Sequence, residues 1–148
     1  MDRTALQDRL LPNNTCFGCG PANPDGLQLK SYEDGDALVA SWTPGPGLNG
    51  PPHVTHGGVV AVPMDCHATW AAMMHFQRVR SDGQMAAVTA GYNVNLRAPT
   101  PIGQRIDLRG WVVEGTERKA RVRVTSHAGD LLTAEFEGIF VAVPPFQY

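Results

Sequence analysis

Hydrophobic and polar residues alternate along six segments of the chain, and one almost wholly apolar stretch separates the second segment from the third. Such alternation is typical of strands that bury one face, and turn residues rich in Gly, Asp and Pro lie between the segments. The pattern predicts strands at Leu27–Tyr32, Ala37–Trp42, Ala87–Arg97, Arg105–Val113, Lys119–Ser126 and Leu131–Val143.

The apolar stretch runs from Val54 to Met74. A helix that is apolar on every side must be buried on every side, so this pattern predicts a central helix wrapped by the strands. Pro63 lacks a backbone N–H and clashes with the carbonyl four residues before it. We therefore expect regular helix to begin only around Val60–Val62, or to bend at Pro63.

The order of two strands, one long helix and four strands predicts a single α+β domain over residues 1–148. We expect a curved antiparallel sheet of about six strands that surrounds the helix. Residues 1–26 are an N-terminal extension, with a short helix around Thr4–Leu11 and a CFGCG loop. The polar segment Gln77–Gln84 is expected to be a mobile loop after the central helix.

Composition narrows the class of protein. Of the 148 residues 43% are hydrophobic and 18% charged, as in a soluble globular domain. The net charge of −2 provides no basic surface for nucleic acid. The sequence has no apolar run of transmembrane length and no signal-peptide pattern, so we expect a cytoplasmic protein that does not bind membranes.

Asp65 is the candidate for chemistry, because a carboxylate in an apolar helix is costly unless it is paired or functional. Thr69 lies four residues later and shares its face of the helix. Gly57 and Gly58 open the helix, where unpaired backbone N–H groups can stabilise an oxyanion. His56 precedes them and either holds this loop in place or acts as a base.

Cys16 and Cys19 have the spacing of half a zinc site. The sequence shows no second CxxC motif and no nearby His pair, and an odd total of three cysteines argues against a disulfide framework. A thioredoxin-like role would require a βαβ pattern that the sequence does not show. We therefore expect no metal, and expect both cysteines to be dispensable for activity.

Three motifs occur in the order in which one family has them: CFGCGPANPDGL, THGGVVAVPMD and VTAGYNVNLRAPTPIG. With the element order, they make Leu27–Val143 resemble the hotdog fold. The chain is most similar to the PaaI-type branch of the 4-hydroxybenzoyl-CoA thioesterase superfamily.

The resemblance implies hydrolysis of an acyl- or aryl-CoA thioester without a metal or other cofactor. It implies that Asp65 is the nucleophile or general base and that the Gly57 N–H polarises the thioester carbonyl. Thr89 matches a strand Ser/Thr that assists water or substrate, and Thr69 matches a helix Thr that orients water. His56 is the first residue of the family's His-Gly-Gly motif and completes the set of candidate catalytic residues.

The candidate substrate-binding residues come partly from the resemblance and partly from charge. The family often has a loop Asn or Gln six residues before the motif His; that position is Gly50 here, and an asparagine lies one residue further away. Basic residues near strand ends are candidates for the CoA phosphates. The candidates are Asn49, Gly58, Arg97, Pro99, Arg118 and Lys119.

Helix geometry predicts an oligomer. Gly57 and Asp65 are eight residues apart, which is roughly 12 Å along a helix axis. Both groups must lie within about 3 Å of one reacting carbonyl. We therefore expect a homodimer with active sites at the subunit interface. A homotetramer built as a dimer of dimers would preserve these sites. The resemblance implies the same shared arrangement.

Two other functions remain open from the sequence. An acyl-CoA hydratase or dehydratase of the same fold would need His and an acid across the substrate, and His56 with Asp65 would supply the pair. A non-catalytic module that binds acyl-CoA or another small molecule is equally compatible with the fold.

Overall fold

The computed structural model describes residues 3–148 and contains one sheet of six strands and one long helix. The elements are α1 (Leu6–Leu10), β1 (Ser31–Asp34), β2 (Ala37–Trp42), a 3₁₀ helix (Pro46–Leu48), α2 (Gly57–Val79), β3 (Ala87–Leu96), β4 (Ile106–Gly115), β5 (Lys119–Ala128) and β6 (Leu131–Ala142). Within residues 3–148, no helix is both long and apolar enough to cross a bilayer.

The sheet has the strand order β1-β2-β4-β5-β6-β3, and every neighbouring pair is antiparallel. It curves around α2, which contacts all strands from β2 to β6. This confirms the predicted α+β fold of a curved sheet around one central helix. Because the order is not sequential, β3 lies at the open edge of the sheet, beside the last strand of the chain.

Helix α2 begins at Gly57 and continues through Pro63 without interruption. Regular helix therefore does not start around Val60–Val62 as one alternative expected, and the other alternative, a bend at Pro63, stays a prediction. His56 caps the first turn through its side chain, so the helix has a defined start. Pro63 removes only the hydrogen bond to the Val59 carbonyl, and burial of the helix compensates for that single loss.

Several predicted boundaries shift for local reasons. Strand β1 begins at Ser31 rather than at Leu27, because the amides of Leu27 and Leu29 bond instead to carbonyls of the CFGCG loop. Segment Gln77–Gln84 was expected to be a loop, but α2 extends to Val79 before the chain turns. The first helix is also shorter than Thr4–Leu11.

His67 anchors α2 against the first hairpin. Its Nε2 donates to the Leu38 carbonyl at 3.0 Å, which leaves Nδ1 to accept from the Ser31 hydroxyl at 2.8 Å. Gln7 completes this network, since its side chain donates to the Ser31 hydroxyl and accepts from the Ser31 amide. Burial lowers the pKa of His67 to about 4, so the imidazole is neutral at physiological pH.

Candidate active site

Asp65 faces β3 from the third turn of α2 and is half-buried. The Thr89 hydroxyl donates to its Oδ1 at 2.8 Å, and Oδ2 has no partner among residues 3–148. Burial raises the pKa of the Asp65 carboxyl, the Thr89 hydrogen bond lowers it, and negative charge at Cys16 raises it further. A carboxylate with a raised pKa and a free oxygen is suited to accept a proton or to attack a carbonyl.

A β-bulge brings Thr89 to this face. The pairing of β3 with β6 shifts between Thr89 and Gly91, which inserts one extra residue. Thr89 and Tyr92 consequently both face α2, and the Tyr92 ring stacks on buried Phe136 at 5.2 Å. Strict alternation along Ala87–Arg97 would place these two side chains on opposite faces of the strand, and the bulge instead places them on the same face.

Thr69 lies on the same side of the helix as Asp65, as expected from the sequence. However, its hydroxyl does not bond to the Asp65 side chain. Its hydroxyl donates to the backbone carbonyl of Asp65 at 2.8 Å and not to the carboxylate. Such bonding to the carbonyl four residues earlier is common for Thr in helices. Its role in orienting water therefore stays a prediction.

The entrance of α2 presents one free amide. His56 Nδ1 accepts the Gly58 N–H at 3.0 Å, whereas the Gly57 N–H has no acceptor within residues 3–148. A Cβ on Gly57 would meet Leu96 Cδ1 at 2.9 Å, so glycine permits this close approach to β3. Of the two glycine amides, Gly57 is the one available to a ligand.

A groove of about 390 Å³ lies beside Gly57. Arg97 and Pro99, two of the predicted substrate-binding residues, line it, and Arg97 pairs with Glu135 at 2.8 Å. Thr55 and Thr100 also line it, and their buried hydroxyls have no hydrogen-bond partner within the described chain. A buried unpaired hydroxyl costs about 1–3 kcal/mol, which a bound molecule can recover.

Thr55 and Thr100 were missed by the sequence reasoning. The available signal was the position of Thr55, directly before His56 in the motif. Asn49 lies nearby, since its backbone bridges Thr55 and its side chain donates to the Gly50 carbonyl at 3.1 Å. Gly58, whose amide His56 already engages, has no further donor to offer a ligand.

Arg118 and Lys119 lie far from this groove. Arg97 donates its amide to the Thr133 carbonyl, whereas Lys119 pairs with Val141 at the other end of β6. Eight residues of strand separate these positions, roughly 26 Å. One chain therefore does not bring all the predicted CoA-binding cations together.

The two halves of the predicted chemistry are likewise apart within one chain. Asp65 contacts Thr89 near the start of β3, and Gly57 approaches Leu96 at its end. Because α2 is regular helix between them, the eight-residue spacing corresponds to about 12 Å. Each chain thus carries a carboxylate half-site and an amide half-site that are separate.

The three cysteines converge next to Asp65. Cys66 on α2 approaches Cys16 of the N-terminal loop, with their sulfurs 3.8 Å apart, and Cys19 completes a trio. Hydrogen bonds from the Cys19 and Cys66 thiols lower the pKa of Cys16. The sequence offers Cys16 and Cys19 no second CxxC motif and no nearby His pair, and it is the fold that brings Cys66 beside them.

Comparison with known proteins identifies the family. The profile of the thioesterase superfamily matches residues 53–135, which include α2 and the strands up to β6. This chain belongs to the thioesterase superfamily. Acyl-coenzyme A thioesterase THEM4 of Xenopus laevis is 31% identical over 110 residues, covering 73% of this chain and 46% of that protein. The chain therefore spans about half the length of this thioesterase relative.

Solved structures agree with this thioesterase assignment. A thioesterase superfamily protein from Shewanella loihica PV-4 is 33% identical, with a TM-score of 0.67 over 84% of this chain and 98% of that chain. The E. coli PaaI protein from the phenylacetic acid degradation operon shares the fold at 15% identity, with a TM-score of 0.67 over 80% and 81%. The predicted hotdog fold and PaaI-like resemblance are confirmed.

Proposed function

We propose that this protein hydrolyses an acyl- or aryl-CoA thioester to the free acid and CoA, with Asp65 as the nucleophile or general base. The observation that carries the proposal is the half-buried Asp65 carboxylate, which has a raised pKa, one hydrogen bond from Thr89 and a free oxygen. Membership of the thioesterase superfamily and similarity to an acyl-coenzyme A thioesterase support the same reaction.

In this reaction the Gly57 N–H polarises the thioester carbonyl. It is free at the positive end of the α2 dipole, where developing negative charge on the oxygen is stabilised. The carboxylate of Asp65 then attacks the carbonyl carbon and expels the CoA thiolate, leaving an anhydride that water hydrolyses to the free acid. Alternatively it removes a proton from a water molecule that attacks the carbonyl directly and expels the thiolate. The thiolate of CoA is a good leaving group, so the step requires neither a strong general acid nor a cofactor.

The active unit is proposed to be a homodimer. Strand β3 is a ten-residue edge strand, and Val88, Tyr92 and Leu96 on it are exposed apolar side chains. A long apolar edge strand favours pairing with another chain. Antiparallel pairing of two β3 strands, centred near Tyr92, would bring Thr89 of one chain close to Leu96 of its partner.

That pairing would bring complementary half-sites together, because Thr89 lies beside the Asp65 carboxylate and Leu96 lies beside the free Gly57 amide. It also brings the Arg97 groove of one chain toward the Arg118 and Lys119 turn of the other, so that both can approach the CoA phosphates. A dimer of dimers would preserve these sites. The proposal also includes the cytoplasmic location that the sequence leads us to expect.

The first test measures free thiol released from a panel of acyl- and aryl-CoA substrates. Hydrolysis produces thiol, whereas hydration or dehydration leaves the thioester intact and changes only the acyl chain. A binding module would show thermal stabilisation by acyl-CoA without turnover. The hydratase alternative is less favoured, because His56 is engaged in capping α2 and lies nine residues from Asp65.

The second test mixes Asp65→Asn chains with Gly57→Pro chains. Proline is tolerated at the first helical position and removes the N–H in question. If sites are shared, each heterodimer has one doubly damaged site and one intact site, so an equimolar mixture should regain about a quarter of wild-type activity. Each parent mixed with itself is the control. Folded heterodimers without activity would show that each chain builds its own site.

A further inference from the structure

The cysteine trio lies outside the proposed hydrolytic chemistry and joins two distant parts of the chain. Cys16 and Cys19 come from the N-terminal loop, and Cys66 comes from α2, directly after Asp65. All three sulfurs lie within 4.8 Å of one another, and all three cysteines are free. Cys19 and Cys66 are buried and Cys16 is exposed, so the trio lies at the edge of the interior and can be reached from solvent.

The spacing of the sulfurs is that of metal ligands. Zn²⁺ bound to thiolates has Zn–S distances of about 2.3 Å, and a tetrahedron of that size has S–S edges of roughly 3.8 Å. The Cys16 and Cys66 sulfurs are 3.8 Å apart, and the trio spans no more than 4.8 Å. A disulfide would instead require about 2.05 Å.

The loop is folded tightly around Cys16. A Cβ on Gly18 would collide with the Cys66 sulfur, and a Cβ on Gly20 would collide with the Asn14 carbonyl and the Cys16 amide. The Gly20 amide closes the turn by donating to the Cys16 carbonyl at 2.8 Å. Glycine at both positions thus lets the loop bring its sulfurs against the helix.

Polar N–H groups surround the sulfurs. The backbone amides of Gly18 and Cys19 face the Cys16 sulfur, and the indole N–H of Trp70 faces the Cys19 sulfur. Donors of this kind orient metal-bound ligands and stabilise their charge.

We propose that Cys16, Cys19 and Cys66 bind one Zn²⁺ ion as thiolates, with water in the fourth position. No His, Asp or Glu in residues 3–148 joins the trio as a fourth protein ligand. Each thiol releases its proton to solvent as it coordinates the ion. The ion fixes the N-terminal loop to α2 beside Asp65, and it takes no part in the proposed hydrolysis. This departs from the expectation of a metal-free chain, which rested on two cysteines alone.

The test measures metal bound to the full chain. After reduction and removal of metal, the protein is titrated with Zn²⁺ and, separately, with Cd²⁺, whose thiolate complexes absorb in the ultraviolet. We expect one ion per chain, bound more tightly than about 1 μM. We also expect the thermal unfolding midpoint of the zinc form to drop by several degrees when a chelator removes the ion.

Variants assign the site. Cys66→Ser and the double variant Cys16→Ser with Cys19→Ser should each lose tight zinc binding, whereas His53→Asn, at an exposed histidine, should retain it. The titration of the unaltered chain does not depend on these variants folding, so it tests for binding by itself, and the variants then test which residues bind the ion. No binding by the reduced wild-type chain, a Cys16–Cys66 disulfide in place of metal, or undiminished binding by the Ser variants would overturn the proposal. Hydrolytic activity is a separate measurement, so either proposal can fail without the other.

Discussion

Asp65 and His67 are two residues apart on the same helix, yet the protein surrounds them differently. Both nitrogens of His67 are hydrogen-bonded, and the ring is wholly buried between α2 and the first hairpin. Asp65 is half-buried and has one bonded and one free carboxylate oxygen. The pKa of each group is shifted by burial toward its neutral form, but only Asp65 is left able to react.

The difference shows how to separate a structural polar residue from a reactive one within an apolar helix. A buried group whose hydrogen-bonding capacity is filled specifies the packing of the elements it joins. A group that is desolvated but incompletely paired retains free energy that chemistry can use. Burial alone does not distinguish them; the count of filled donors and acceptors does.

The largest effect should come from Asp65→Asn. We expect thiol release to fall by about 10³-fold, because the amide can neither attack nor take a proton. The raised folded-state pKa means that the charged carboxylate opposes folding above its unfolded-state pKa. The neutral amide should therefore raise the thermal midpoint at neutral pH by about 2 °C. Turnover near that of the wild type would make Asp65 a structural residue.

His67 should respond in the opposite way, by changing stability without changing chemistry. Its pKa falls from about 6.5 in the unfolded chain to about 4 in the folded one, so the unfolded state binds the extra proton between these values. The free energy of unfolding should decrease as pH falls through this window, by up to about 1.4 kcal/mol per pH unit.

The measurement is denaturant unfolding between pH 6.5 and 5, with His67→Gln as the comparison. The variant should lose this slope and about 2–4 kcal/mol of stability, with kcat per folded chain retained within about twofold. A large loss of kcat in fully folded His67→Gln would place His67 in the chemistry and remove the contrast with Asp65.

Thr89→Val should have the smallest effect and should sharpen the contrast most directly. It removes the hydrogen bond that lowers the pKa of Asp65, so that pKa should rise. Activity requires the ionised carboxylate, so the rising limb of the pH–rate profile should move to higher pH, and the loss in kcat/KM should be greatest on that acidic limb. Thr69→Val is the matched control, since that hydroxyl bonds a backbone carbonyl. Equal shifts in both variants would argue against a specific contact.

Local patterns were enough to locate the elements, though not all their ends, and to select Asp65 as a candidate. The alternation of polar and apolar residues located all six strands, and one charge in an apolar stretch singled out Asp65. Alternation does not predict which face of β3 carries Thr89. The extra residue of the bulge reverses the faces of the side chains on one side of it, and the amino-acid composition of the strand gives no sign of this. Nor did alternation show that Leu27 and Leu29 pair with the cysteine loop instead of with a strand.

Features that depend on tertiary contact were beyond the sequence. The position of Cys66 beside Cys16 depends on how a loop 50 residues earlier packs against α2. The unpaired hydroxyls of Thr55 and Thr100 become apparent only when the groove is formed. In each case the residues that come together are far apart in the sequence, and no periodic pattern of polar and apolar residues indicates that they meet.

Pro63 has a consequence for local opening of the helix. Because proline has no amide, the Val59 carbonyl lacks its helical donor, and the turn before Pro63 has fewer bonds to break than the rest of α2. Amide hydrogens from Val59 to Val62 should therefore exchange with solvent faster than those beyond Pro63. A ligand held by the Gly57 amide would slow that exchange, so deuterium uptake over this single turn would report occupancy of the site without any turnover.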